Sequence, residues 1–368
     1  MRQRLFSLPF ALFAVLAAVS PATSAAFPFP EATPEVAQAQ PELNALLRQA
    51  RRLVEAGDRE AALLAYQEAA QLDENNARIF SAIGLLSSQE GNFEAAIAAF
   101  QRAVELEPDN ANFQYALGHT LASAQRYDEA VEPLERAIDL QRRPTDAYAS
   151  LGAVEFRREN YAAALEAYDR AIELDRRNWQ LQRDRASVLV QLQRYEEAIA
   201  VLEPLLDIAP NNGETRMSLG IAYLGSGDAE AALEQFEAAA RADSEMGAAY
   251  FQIGRMLADR GETEAALEAY RQAVNSQPDL AAAYLAMGEI LVGQEKFLDA
   301  IVVYRQAIDR DPDNADARYN LGVALVGRDR TDEAIDTFRA ARDLYRQQNI
   351  RDGVAQAEAA LRELGATE

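Results

Sequence analysis

The chain has no cysteine, one histidine (His119), one tryptophan (Trp179) and one lysine (Lys296) among its 368 residues. Each shortage removes a class of chemistry. Without cysteine there is no disulfide, no thiolate nucleophile, no cysteine-ligated zinc and no lipid-anchored amino-terminal cysteine. A single histidine excludes metal sites that need two imidazoles. It leaves one Ser-His-Asp set arithmetically open around His119, but no nucleophile elbow and no phosphate-binding glycine loop accompanies it. The chain therefore reads as a non-enzyme, with no catalytic residues, no cofactor and no resident metal. Positive charge is also scarce, with 36 Lys+Arg against 59 Asp+Glu and a net charge of −23. That balance makes nucleic acid and anionic membrane surfaces poor partners for the molecule as a whole, and no nucleic acid is expected.

What the chain has in abundance is a period. Ala62, Ala96, Ala130, Ala164, Ala198, Ala232, Ala266, Ala300 and Ala334 lie 34 residues apart. A second series runs through Gly84, Gly118, Gly152, Gly220, Gly254, Gly288 and Gly322, with Ala50 and Ala186 in the two remaining places. Such a period means stacked supersecondary units rather than one globular core. Within the unit from Ala77 to Asn110, Phe80, Ile83, Gly84 and Ser87 share one helical face, and Gln89-Glu90-Gly91-Asn92 interrupts it. A second helix follows, with Phe93, Ala96, Ile97, Phe100, Ala103 and Val104 on its apolar side, and Glu107-Pro108-Asp109-Asn110 ends it. The small residues let the two backbones approach while the aromatics fill the space around them.

The pattern carried by Tyr284, Met287-Gly288, Ala300, Tyr304, Ala307 and Pro312 resembles the tetratricopeptide repeat (TPR) family. The resemblance spans roughly residues 43 to 348 and implies an all-α fold. That fold is an α-solenoid, a right-handed superhelix of about nine helix-turn-helix units. In the family the first helix of each unit lines a concave groove. The resemblance thus implies a protein or peptide ligand there and directs attention to Tyr115, His119, Phe156, Arg157, Arg183, Met217, Ile221, Leu224, Phe251, Arg255, Leu285 and Tyr319. Phe156, Phe251 and Tyr319 are expected to be exposed, because Tyr148, Tyr250 and Leu321 already fill the packing places of their units. Between Arg136 and Arg194 there are 11 arginines against nine acidic residues, a local excess of positive charge. Arg157 and Arg183, extended by Arg255, are expected to offer forked hydrogen bonds to an acidic peptide segment or a free C-terminal carboxylate. The family's carboxylate clamp and asparagine ladder are absent, since the only lysine lies in an inter-helix turn and only Asn320 matches the ladder.

The fifth unit, 179 to 212, departs from the pattern: Arg185-Ala186 replaces Leu-Gly, and Gln182 stands where an aromatic is usual. Either it is a softened joint or Trp179 takes over the packing role, and the second reading is preferred. The ends differ again. Arg2 and Arg4 precede the uncharged run Leu5 to Val19, and small residues follow at Ala22 to Ala26. This is the layout of a secretory leader over 1–26, the rival reading being an uncleaved membrane anchor. Residues 27–42, with Pro28, Pro30, Pro34 and Pro41, read as a linker, 43–348 as the nine units, and 349–368 as a capping helix and tail.

Together these features give an exported interaction scaffold or assembly factor of the periplasm or a lumen, meeting membranes only through a partner or an uncut leader. Two alternatives share the features: assembly of a photosynthetic complex, and metal delivery or buffering by surface carboxylates. The acidic loops, such as Asp311-Pro312-Asp313-Asn314-Ala315-Asp316, read better as helix ends and caps than as metal ligands. An enzyme built on His119 comes third.

Overall fold

The structure, a computed structural model, describes residues 41–366. The leader and most of the linker expected at the amino terminus lie outside the described residues. The last two linker residues, Pro41 and Glu42, instead open a helix, where the missing N–H of proline costs nothing.

Among the described residues the chain forms 19 helices and no strand. In order they are α1 (Pro41–Glu55), α2 (Arg59–Leu72), α3 (Ala77–Gln89), α4 (Phe93–Leu106), α5 (Ala111–Ser123), α6 (Tyr127–Leu140), α7 (Thr145–Arg157), α8 (Tyr161–Leu174), α9 (Trp179–Gln191) and α10 (Tyr195–Ile208). There follow α11 (Gly213–Ser226), α12 (Ala229–Ala242), α13 (Gly247–Asp259), α14 (Thr263–Ser276), α15 (Ala281–Gly293), α16 (Phe297–Arg310), α17 (Ala315–Val326), α18 (Thr331–Gln347) and α19 (Arg351–Glu363). Among the described residues eight first helices pack on the second helix that follows them, α1 on α2 through α7 on α8 and α11 on α12 through α17 on α18, and α19 packs on α18. The described chain divides into two compact units between Val201 and Leu202, so the boundary falls inside α10.

Local chemistry sets the helix ends. Asn92, Asn110, Asn178, Asn212 and Asn314 are N-caps whose side chains accept backbone N–H groups of the following first turn. The loop at 311–316 works this way: Asn314 Oδ1 accepts from Ala317 N at 2.9 Å, and its amide donates to Asp311 Oδ2 at 3.0 Å. The turn inside each repeat needs a left-handed residue. Gly57, Gly91, Gly227 and Gly261 supply it without strain, while Gln125, Glu159, Gln193, Glu295 and Asp329 adopt it at the equivalent places.

In the N-terminal unit α3 packs on α4, α5 on α6 and α7 on α8, and each second helix then packs on the first helix of the next repeat. The C-terminal unit repeats this from α11–α12 to α17–α18. First helices of neighbouring repeats also touch, as α3 does α5, α5 does α7, and α15 does α17. The tight point lies between the two helices of one repeat. A Cβ placed on Gly84 would stand 2.9 Å from the ring of Phe100, and one on Gly220 2.6 Å from Cε1 of Phe236. The rings thus rest directly on glycine backbone, and Phe236 is fully buried there. Gly293 at the end of α15, by contrast, has nothing within 4 Å of such a Cβ.

The two glycines should respond in opposite directions. Gly220→Ala should lower stability by about 1–2 kcal/mol through overpacking, after the gain in helix propensity. Gly293→Ala should raise it by about 0.5–1 kcal/mol. Denaturant midpoints of the two variants check this, and equal shifts would contradict the packing account.

Candidate partner-binding faces of the first helices

Several first-helix residues expected to face solvent, three of them at the fifth place of their helix and Phe156 at the twelfth, fold inward more than the pattern suggests. Phe251 is only 7 % exposed, and its ring lies 5.7 Å from that of Tyr270, 19 residues later on the second helix of the same repeat. Met217 is 8 % exposed and packs into the cluster around Phe236. Tyr319 is half-buried with its ring 5.3 Å from that of Phe338. Phe156 is half-buried edge-on to Tyr161 at 5.5 Å. The exposure expected of Phe251 is therefore corrected, and Phe156 and Tyr319 are half covered. The physical reason is shared with the glycines. The second helix sits so close that its aromatic ring covers the neighbouring turn of the first.

The arginine excess in the N-terminal unit also reads differently in the structure. Arg183 is buried, its guanidinium 5.6 Å from the centre of the Trp179 ring and 3.4 Å from Asp184. The half-buried Trp179 thus serves the fifth repeat through this cation–π contact. Arg185 bonds Asp169 at 2.5 Å, Arg170 bonds Glu173 at 3.1 Å, Arg194 grips Glu197 at 2.6 Å, and Arg136 pairs with Asp109. Most of the run neutralises carboxylates of this chain rather than waiting for those of another. Arg157, half-buried, lines a hollow of about 420 Å³ with Arg126, Arg158, Asp128 and Glu129. There Arg126 forks onto Glu129 at 2.7 Å, and Arg158 joins Asp128 at 2.8 Å to Glu155 at 2.7 Å.

Tyr115 and His119 lie one turn apart on α5, half-buried, with ring centres 5.8 Å apart. His119 Nε2 is buried without a hydrogen-bond partner, and desolvation holds the imidazole pKa below its usual 6.5. Ile221, Leu224, Arg255 and Leu285 are half-buried on the first helices of the C-terminal unit. Among the described residues no group of three or more His, Asp or Glu is arranged to hold a metal ion, and no helix is long and apolar enough to cross a membrane.

One buried acid escaped the sequence reading. Glu155 is 5 % exposed and stands where Leu53, Leu121, Leu189, Leu257, Leu291 and Leu325 stand in other repeats. Its Oε1 accepts from Arg158, while no donor reaches Oε2. The signal was present as an acid interrupting a leucine series at the 34-residue period. The outer face of α16 was missed for the same reason: Leu298 and Val302, 56 % and 57 % exposed, replace acids found at equivalent places such as Glu264 and Glu268.

Helix pairs repeating at a constant 34-residue period, each resting on its neighbour within its unit, make this an α-solenoid repeat protein. The chain belongs to the tetratricopeptide repeat family, whose model matches residues 81–147, 150–213, 217–281 and 285–345. Members of that family serve as protein-interaction scaffolds, and no catalytic family is indicated. No curated protein matches the sequence. Among solved structures, a tetratricopeptide repeat protein from Parabacteroides merdae is 14 % identical, covering 68 % of this chain and 100 % of its own with a TM-score of 0.58, which supports the fold alone. The MamA protein is 26 % identical over 46 % of this chain and 92 % of its own, with a TM-score of 0.43. YrrB, described as a TPR protein with an unusual peptide-binding site, is 26 % identical over 51 % of this chain and 97 % of its own, with a TM-score of 0.41.

Two substitutions test these environments. Glu155→Leu should leave stability unchanged or raise it by about 1–2 kcal/mol, since an apolar residue of the other repeats replaces a buried, half-satisfied charge. A loss above about 2 kcal/mol in thermal unfolding would show the ion pair to be essential. For His119 the folded pKa is depressed, so the unfolded chain binds the extra proton. Its neutral form contributes fully above pH 6.5, and the contribution declines as pH falls below that value. The stability of wild type relative to His119→Gln should accordingly fall between pH 7 and pH 5, and a pH-independent difference would contradict the desolvated environment.

Proposed function

We propose that this chain is a non-enzymatic scaffold or assembly factor that holds a partner protein against the first-helix faces of its repeats, and that it works in a periplasm or lumen after export. The carrying observation is chemical. Second helices and repeat junctions use the periodic packing residues, whereas the first-helix faces carry side chains that differ from repeat to repeat: Tyr115 and His119 in the N-terminal unit, Ile221, Leu224, Arg255 and Leu285 in the C-terminal unit. Packing alone has no need of that variety. Half-covered apolar and aromatic side chains with a few charges are the composition of a recognition surface. Family membership supports the reading, because the shared residues of the family are packing residues and leave these faces free to specialise. Buried Met217, Phe251 and Arg183 support the face from beneath, while Phe156, Arg157 and Tyr319 offer partly covered edges. The leader-like composition of residues 2–26 supports export.

A photo-crosslinking amino acid at Tyr115 or Leu285, in full chain expressed in its source cells, should trap a discrete partner. The same probe at the exposed Glu166 or Glu234 on second helices should not. Trapping from the second helices alone would contradict the assignment of the face. The intact mass of the purified protein should lack the leader, and a mass of all 368 residues would count against its removal.

A further inference from the structure

Two Arg-Arg pairs stand one 34-residue period apart, Arg142-Arg143 and Arg176-Arg177, each exposed in the short junction between a second helix and the next first helix. The junction 175–178 is closely tied. Asp175 Oδ1 accepts from Arg177 N at 3.2 Å, and Asn178 N donates to Asp175 O at 3.3 Å. The Asn178 side chain caps α9 by accepting from Gln180 N at 3.1 Å, and Gln182 donates to the Arg176 carbonyl at 2.9 Å. At the other junctions the same carbonyl is likewise taken by a side chain, as Pro108 O is by Gln114 at 2.9 Å and Pro312 O by Arg318 at 2.7 Å. The junction 141–144 lacks these bonds. Pro144 stands in the cap position, with no N–H to close the turn onto Gln141 O and no side-chain acceptor for the first turn of α7. Among the described residues the Arg142 carbonyl receives no side-chain hydrogen bond, and the side-chain bond that remains runs from the Arg143 guanidinium to Leu174 O at 2.8 Å. The helix leading in is also weakened, since Pro133 lies inside α6. Gln141 N ends that helix on Ile138 O at 3.3 Å, where the equivalent N–H groups of Glu107 and Asp175 reach four residues back at 3.0 Å.

We propose that the Arg142–Arg143 peptide bond is a proteolytic cleavage site, open in the folded protein to an endoprotease that takes arginine on the amino side of the bond it cuts. Hydrolysis breaks the bond between the Arg142 carbonyl carbon and Arg143 N. Water supplies the hydroxyl of the new Arg142 carboxyl group and the proton of the new Arg143 amine. A protease cleft takes extended chain, so a bond in a folded protein is cut in proportion to how often the backbone around it opens. Opening 175–178 breaks cap, turn and carbonyl bonds together, whereas opening 141–144 breaks the Arg143 contact and leaves no cap to lose. Sequence alone favours the opposite order, because the bonds after Arg176 and after Arg177 are both open to attack, while Arg143 is followed by proline, which such enzymes do not accept there. The packing of α6 on α7 lies outside the cut loop, so the two pieces stay associated. The site is independent of the first-helix face and of any partner held there.

The test treats the full chain with a trace of trypsin under native conditions and weighs the fragments by mass spectrometry as they appear. Rates are taken relative to those of synthetic peptides covering each junction, which removes the protease's own sequence preference. The cut after Arg142 should outpace those after Arg176 and Arg177 by about tenfold, and its two fragments should elute together in gel filtration. Pro144→Asn, which restores the cap residue found at Asn110 and Asn178, should slow that cut by about tenfold. Asn178→Ala should speed cutting after Arg176, and circular dichroism checks that both variants keep their helices. Equal relative rates at the two junctions, or faster cutting after Arg176 or Arg177, would overturn the proposal. An unchanged rate after Arg142 in Pro144→Asn would overturn it as well, since the missing cap would then not be what opens the loop.

Discussion

The contact on which the stack depends is an aromatic ring or a leucine side chain laid on a residue with little or no side chain, sixteen residues earlier in the same repeat. Gly84 under Phe100, Gly118 under Leu134, Gly152 under Tyr168 and Gly220 under Phe236 are four instances. The contact brings two helix backbones close enough for the second helix to reach the first helix of the next repeat as well. Stability is then passed from neighbour to neighbour, with no central core to share it. Alanine replaces glycine at Ala50 and Ala186, and both are fully buried.

That constraint explains which parts of the fold were legible. Contacts between residues a fixed distance apart in sequence leave a periodic trace, and the alanine and glycine series gave the helix pairs and the period directly. Faces were harder, because exposure depends on the reach of side chains across the helix pair. Phe251 looks free when only its own helix is considered, yet Tyr270 covers it from the second helix. Arg183 belongs to a run of positive charge in the sequence and to a Trp179–Arg183–Asp184 contact in space. Net charge along the chain counts residues, whereas docking depends on which charges remain unmatched after packing. Glu155 and the pair Leu298 and Val302 were detectable as interruptions of periodic series, but only when each place in the repeat is compared across all nine.

Function follows from a division of labour inside each repeat. Side chains between helices are held to a narrow set by close packing, and N-cap asparagines and left-handed turns fix the connections. The first-helix faces are under no such restriction and vary from repeat to repeat. In the N-terminal unit they carry the Tyr115–His119 pair and arginines largely neutralised in place. In the C-terminal unit they carry the half-buried Ile221, Leu224, Arg255 and Leu285. A scaffold of this kind acts by holding, through the side chains that its faces present.

The most direct measurement of the central constraint is a double-mutant cycle between Gly220→Ala and Phe236→Ala, read from equilibrium unfolding. If the aromatic ring on glycine is what limits the approach of the two helices, the alanine at 220 should be destabilising with Phe236 present and neutral or stabilising once the ring is removed, a coupling above about 1 kcal/mol. Additive effects would contradict the account and place the limit on helix approach elsewhere in the repeat.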